Sequence, residues 1–192
     1  MTAQDEASAN KKIKEVKASY VVIDYQIAYV DPRTASGKFP AIILWAGNAS
    51  STYFDFFLAP QENKQLVPVL LYYPEYYRTF STRLFSFDGK EVIPQKTIVI
   101  AYEERLSQEG MRYKVITAAQ EFTAYEGAKA YLESQTTGNA TGNYRIIGTD
   151  PFDSPVPLEA LQHYELVHSS NSTVTLANSV AAPEVKIFKY TD

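Results

Sequence analysis

The strongest constraint on the fold is a succession of short runs rich in β-branched and aromatic residues. In the second half of the chain KTIVIAYEER, MRYKVITAAQ, NYRIIGTD, HYELVHSS and PEVKIFKYTD all read as strands. One amphipathic helix, FTAYEGAKAYLESQ over residues 122–135, interrupts them. The first half reads differently. DEASANKKIKEVK, residues 5–17, predicts a short polar helix with acids first and lysines last, the order a helix dipole favours. Ile13 and Val16 form its apolar side, and SYVVIDYQI follows as a strand. The expected fold class is therefore α/β to α+β. A mixed α/β core portion spans 1–93, and a β-rich, barrel- or sandwich-like portion with an inserted helix spans 94–192.

Between these landmarks, Asp31–Gly37 (DPRTASG) is a loop by composition, and a helix is expected from Lys38 to Trp45 with Pro40 near its first turn. VPVLLYY and the aromatic block Tyr72–Tyr77 come next. FSTRLFSFDGK then alternates toward a turn at Asp88-Gly89.

Composition removes several function classes. A net charge of −4 leaves no basic footprint for nucleic acid. The chain has no Cys, which excludes disulfides, thiolate zinc sites and cysteine nucleophiles. The polar start MTAQDEASANKK carries no signal peptide and reads as a boundary inside a longer chain. The two histidines, His163 and His168, fall on opposite faces of one strand and cannot share an ion. Neither a G-x-S-x-G elbow nor a phosphate-binding glycine loop is present. Glu103-Glu104 are adjacent on a strand, so their side chains diverge and make a poor pair of glycosidase acids. LLYYPEYYRTF suits either a sugar-stacking platform or a packing layer with its hydroxyls at a wet edge. Three N-x-[ST] sequons, at Asn48, Asn139 and Asn171, sit in expected surface loops and are candidate glycosylation sites.

The most unusual stretch is VVIDYQIAYVDPRTASGKFPAIILWAG, residues 21–47. It ends an apolar strand on Asp24, at the C-terminal end where open α/β sheets usually bind ligands, and opens the next apolar element on Lys38. A carboxylate among apolar residues needs a partner, so a structural ion pair or a helix-start carboxylate is one reading. The other is a binding surface. Lys38 and Ile42 lie four apart and stack on one helical face, an apolar wall with a charged tip suited to a small group bearing a methyl and a hydroxyl.

At these residues the chain resembles the C-terminal soluble domain of the archaeal oligosaccharyltransferase catalytic subunit, the AglB family, which is related to the bacterial and eukaryotic catalytic subunits. The resemblance is carried by YVVIDYQIA, GKFPAIILWAG, LVPVLLYYPEYYRTFSTRLFSFDGK, YRIIGTDPFDSPVPLEALQHYELVHSS and PEVKIFKY. It implies a piece of an enzyme that transfers a lipid-linked oligosaccharide to Asn in N-x-Ser/Thr sequons on the extracytoplasmic face of the cell membrane. The family pattern D-x-x-M-x-x-x-K-x-x-x-I, which helps to grip the acceptor Ser or Thr, maps onto Asp24, Ile27, Lys38 and Ile42. Here Ile27 replaces the Met, and the interval from Ile27 to Lys38 is longer than in the pattern. The family's W-W-D-Y-G motif is missing, since Trp45 is the only Trp. The resemblance thus implies a fragment inactive by itself, with no catalytic residue, metal or cofactor of its own. The Mg²⁺ or Mn²⁺ ion and the contacts with the dolichyl-linked oligosaccharide belong to the rest of the enzyme, and the partner expected here is an acceptor polypeptide. A non-catalytic glycan-binding or cell-surface module using Tyr72–Tyr77 is the alternative.

Overall fold

The computed structural model describes residues 1–34, 36–137, 142–176 and 179–191. In chain order the elements are α1 (Glu6–Glu15), β1 (Tyr20–Asp24), α2 (Tyr25–Ala28), α3 (Lys38–Trp45), β2 (Phe54–Pro60), β3 (Leu66–Tyr72), α4 (Pro74–Arg78) and α5 (Phe80–Phe87). There follow β4 (Thr97–Leu106), β5 (Arg112–Phe122), α6 (Tyr125–Thr137), β6 (Asn143–Ile147), β7 (Tyr164–Ser169), β8 (Thr173–Thr175), β9 (Ala181–Pro183) and β10 (Val185–Tyr190). Helices packed on open antiparallel sheets make this an α+β fold. Among the described residues no helix is long and apolar enough to cross a membrane.

A three-stranded sheet, in the order β1-β10-β7, joins the two ends of the chain. Its register sets Tyr20 opposite Lys189 and Asp24 opposite Val185. The inward residues Val21, Ile23 and Phe188 pack with Phe80, Leu84 and Phe85 of α5 and with Ala9 of α1. α1 forms as its charges direct: Asp5 caps it by accepting from the Ser8 N–H at 2.8 Å, with Glu6 in the first turn and Lys12 and Lys14 in the last.

The second sheet runs β3-β2-β5-β4-β6. It is antiparallel apart from one parallel contact between Leu58 and Val115. The sheet curls until its edge strands meet at a single bridge, Tyr72 to Gly148, where each N–H bonds the other's carbonyl at 2.9 and 2.8 Å. It does not close into a barrel. Both larger sheets combine strands from before and after residue 93. α6 lies against one face of the second sheet, where Ala128, Val99 and Ile146 share a core with Tyr72, Tyr76 and Tyr77.

Three expectations from the sequence change. FSTRLFSFDGK is helical, not a run toward a hairpin. Phe80, Leu84 and Phe85 repeat at helical spacing toward the core, and Thr79 caps the first turn by accepting from Thr82 N–H. The Asp88-Gly89 turn does occur, but as a left-handed helix end with φ of 56° and 69°. The strand SYVVIDYQI stops at Asp24 and gives way to the helical turn α2. Finally, β1 is antiparallel to its neighbour, so the ligand-binding edge of an open parallel sheet does not explain Asp24. The strand DFFLAP, contained in β2, had no separate reading in the sequence.

Candidate functional site

Asp24 ends β1 and caps α2. Its Oδ1 accepts from the Ile27 N–H at 3.2 Å, while Oδ2 receives the Lys38 ammonium in a short, charge-assisted contact. Both readings of the carboxylate therefore hold together: it is a helix-start residue and half of an ion pair. The Lys38 side chain is about half exposed and that of Asp24 about one quarter, so the pair sits at the surface with one side open to solvent.

Lys38 reaches Asp24 because the intervening loop folds back. Asp31 organises the turn, accepting from the Arg33 N–H at 2.9 Å and pairing with the Arg33 guanidinium at 2.9 Å. These bonds hold the Asp31 carboxyl below the usual carboxylate range. The loop returns through Gly37, whose φ of 135° is a conformation that other residues rarely adopt. A Cβ there would stand 3.2 Å from the Tyr29 carbonyl oxygen. Gly37 thus lets the chain pass close to α2 and start α3 with Lys38 beside Asp24. A recess of about 220 Å³, lined by Tyr25, Gln26, Tyr29, Asp31, Arg33 and Gly37 among others, lies next to the pair.

The tyrosine block supports this site from beneath. The Tyr76 hydroxyl donates to the Ala28 carbonyl at 2.6 Å, and the Tyr72 hydroxyl to the Val30 carbonyl at 3.1 Å. Phe39, the second residue of α3, packs edge-on against Tyr76 with ring centroids 5.3 Å apart. Burial pushes the Tyr72, Tyr76 and Tyr77 hydroxyls above their ordinary pKa, so they stay protonated donors. Tyr72, Tyr73, Tyr76 and Tyr77 are all buried. Their faces are covered by protein, which leaves no platform for sugar stacking from solvent. The residues that build the site from behind were missed in the sequence, because each hydroxyl finds its carbonyl some forty residues away.

Of the four residues singled out in the sequence, the structure joins Asp24 and Lys38. Ile42 lies one turn along α3 from Lys38 and is partly exposed. Ile27 is partly buried and packs against the core beneath α2. Glu103 and Glu104 are exposed strand residues paired with Arg105 at 3.0 Å and Arg112 at 4.0 Å. The His163 ring lies 2.9 Å from the Thr191 carbonyl oxygen, while His168 sits on β7 opposite Ile187. Among the described residues no three His, Asp or Glu side chains converge to hold a metal ion. Asn48 and Asn171 are exposed, and Asn139 lies outside the described residues.

No protein-family model matches the chain. No solved structure matches it either. The chain is 27% identical over 198 aligned positions to the dolichyl-monophosphooligosaccharide–protein glycotransferase AglB of Haloferax volcanii. The alignment covers 93% of this chain and 18% of that relative, so the chain spans about one fifth of the relative's length. Over nearly all of its length the chain is similar to AglB, the resemblance that its strings carry.

Proposed function

We propose that this chain is the extracytoplasmic C-terminal part of an oligosaccharyltransferase of the AglB type, and that Lys38, Ile42 and Asp24 help to hold the acceptor Ser or Thr. The observation that carries this reading is the half-open Asp24–Lys38 pair, with Ile42 one helical turn further along α3. The Lys38 ammonium keeps hydrogen-bond donors to spare for a hydroxyl oxygen, and the exposed side of Asp24 can accept the hydroxyl proton. Ile42 adds an apolar surface for the Thr methyl. Ile27 contributes from behind, by fixing the turn that Asp24 caps. The chain's role is then to position the acceptor, a term that can supply much of a rate enhancement.

In this reading the membrane spans, the dolichyl-linked oligosaccharide site and the Mg²⁺ or Mn²⁺ ion come from the remainder of the full-length enzyme, and this chain has no transferase activity alone. The test compares the full-length enzyme with its Lys38→Ala and Ile42→Ala variants on N-x-Thr and N-x-Ser peptides. A rise in KM is expected for both variants, with Ile42→Ala weakening Thr peptides more than Ser peptides. Unchanged kinetics in both would overturn the assignment.

A further inference from the structure

A recess of about 500 Å³ opens between α4, α6 and the paired strands β4 and β6. Its size falls within the ~300–1,000 Å³ usual for ligand sites. Arg78, the last residue of α4, lines this recess and is only partly exposed. Its guanidinium makes no hydrogen bond or ion pair with any described residue. Arg78 also borders a smaller recess that contains Asp5 and Glu6, yet it pairs with neither. A guanidinium carries five N–H donors, and drawing them out of water without an acceptor is unfavourable. A half-buried arginine left unpaired beside a recess therefore marks a place where an anion is stabilised.

Arg145 of β6 supplies a second cation. It stacks on the Tyr73 ring, 3.5 Å from the centroid, which fixes the plane of its donors. Its contact with Glu75 is 3.4 Å, longer than the ~2.7–2.9 Å of a full charge-assisted bond. Donors of Arg145 thus stay open, and Glu75 keeps lone pairs for another group. The remaining walls bring in the exposed Asn143 amide and three partly exposed rings, Tyr102, Tyr125 and Tyr144. Phe57 meets Tyr102 edge-on at 5.1 Å and Tyr131 meets Tyr144 edge-on at 6.4 Å, so two of the rings are fixed before any ligand arrives. These rings are distinct from the covered block Tyr72–Tyr77.

We propose that this recess binds an acidic saccharide, a pyranose bearing a carboxylate or sulfate group. The anionic group pairs with Arg78, whose planar fork matches two oxygens at once. Sugar hydroxyls both donate and accept, which suits Glu75, Asn143 and Arg145 together. A tyrosine ring offers an apolar face with a polar tip, the complement of a pyranose C–H face and its hydroxyl rim. A phosphate-rich polymer is opposed by Glu75 inside the site and by the chain's net charge of −4. A lipid chain would leave both guanidinium groups without acceptors. The recess uses none of Asp24, Ile27, Lys38 and Ile42, so it stands or falls apart from the acceptor reading.

The test titrates the full-length protein that contains this chain with trigalacturonate, with neutral cellotriose and with a tetraglutamate peptide. Trigalacturonate should bind about tenfold more tightly than cellotriose, the gain expected from one charge-assisted contact. Added salt should narrow that difference. Arg78→Ala should weaken trigalacturonate about tenfold and leave cellotriose unchanged. Because Arg78 has no partner among the described residues, this variant keeps the fold, which thermal unfolding checks. Asn143→Ala, at an exposed strand end, should weaken both sugars and gives a second, independent variant. Saturation of the protein's aromatic protons in NMR should pass to the ring C–H protons of the bound sugar. No binding of trigalacturonate, or binding that Arg78→Ala leaves unchanged, overturns the proposal. So does tetraglutamate binding as tightly with the same loss in Arg78→Ala, since the recess would then read carboxylates without a sugar ring.

Discussion

The hydroxyl of Tyr76 donates to the carbonyl of Ala28 at 2.6 Å, so α4 fixes the end of the helical turn that begins at Asp24. Ala28 is fully buried, and its carbonyl would lose this donor without the hydroxyl. Tyr76→Phe should destabilise the protein by about 1–2 kcal/mol. Urea unfolding measures that cost. Faster hydrogen exchange at Ala28–Val30 than at the strands of the second sheet would show that the effect is centred on the site.

Gly37 should tolerate no side chain. At φ 135° and ψ −179° its backbone lies in a region that is almost exclusively glycine's, and a Cβ would also press on the Tyr29 carbonyl. Gly37→Ala is expected to cost about 1–3 kcal/mol. It should also separate Lys38 from Asp24, which shows as loss of the Lys38 ammonium coupling in NMR.

The Asp24–Lys38 pair should contribute little to stability, whatever its part in binding. Lys38→Ala removes a partly exposed ion pair and should cost less than about 1 kcal/mol. Asp24→Ala also removes the cap on α2 and should cost about 1 kcal/mol more. A double-mutant cycle in urea reads both, and a coupling several times larger would show the pair to be a structural keystone.

The buried tyrosines set an alkaline limit. Tyr72, Tyr73, Tyr76, Tyr77 and Tyr164 all have pKa values raised first by burial. The unfolded chain releases these protons near pH ~10. Above that pH the folded state holds more protons than the unfolded state, so stability falls as pH rises. The denaturation midpoint should be flat through pH ~9 and drop steeply beyond about 10. Tyrosinate absorbance should appear together with unfolding.

Gly148 meets the same layer. A Cβ there would lie 2.0 Å from the Tyr77 hydroxyl oxygen, which is held by the Asp150 carbonyl at 2.7 Å. Gly148→Ala should cost about 3 kcal/mol and weaken the bridge between the sheet edges. Adding Tyr77→Phe should recover part of that loss, giving a double mutant less damaged than the sum of the singles.

How much of this was legible in the sequence follows from the range of each signal. KTIVIAYEER and MRYKVITAAQ became β4 and β5, and KFPAIILW became α3, because strand and helix periodicity act over a few residues. The FSTRLFSFDGK segment misled because its two-residue alternation coincides with core-facing Phe80, Leu84 and Phe85 at helical spacing. Packing against Ile23 and Phe188 favoured the helix.

The sequence alone determined that a carboxylate at Asp24 and an ammonium at Lys38 needed explaining, since charge among apolar residues demands a partner. Only the tertiary structure decided that each is the other's partner, because that depends on the left-handed passage through Gly37 and the tyrosines beneath the loop. Tertiary structure likewise paired YVVID with β10, Tyr20 opposite Lys189 and Asp24 opposite Val185. The two strands lie more than 150 residues apart in sequence, and no local pattern in either segment encodes that encounter.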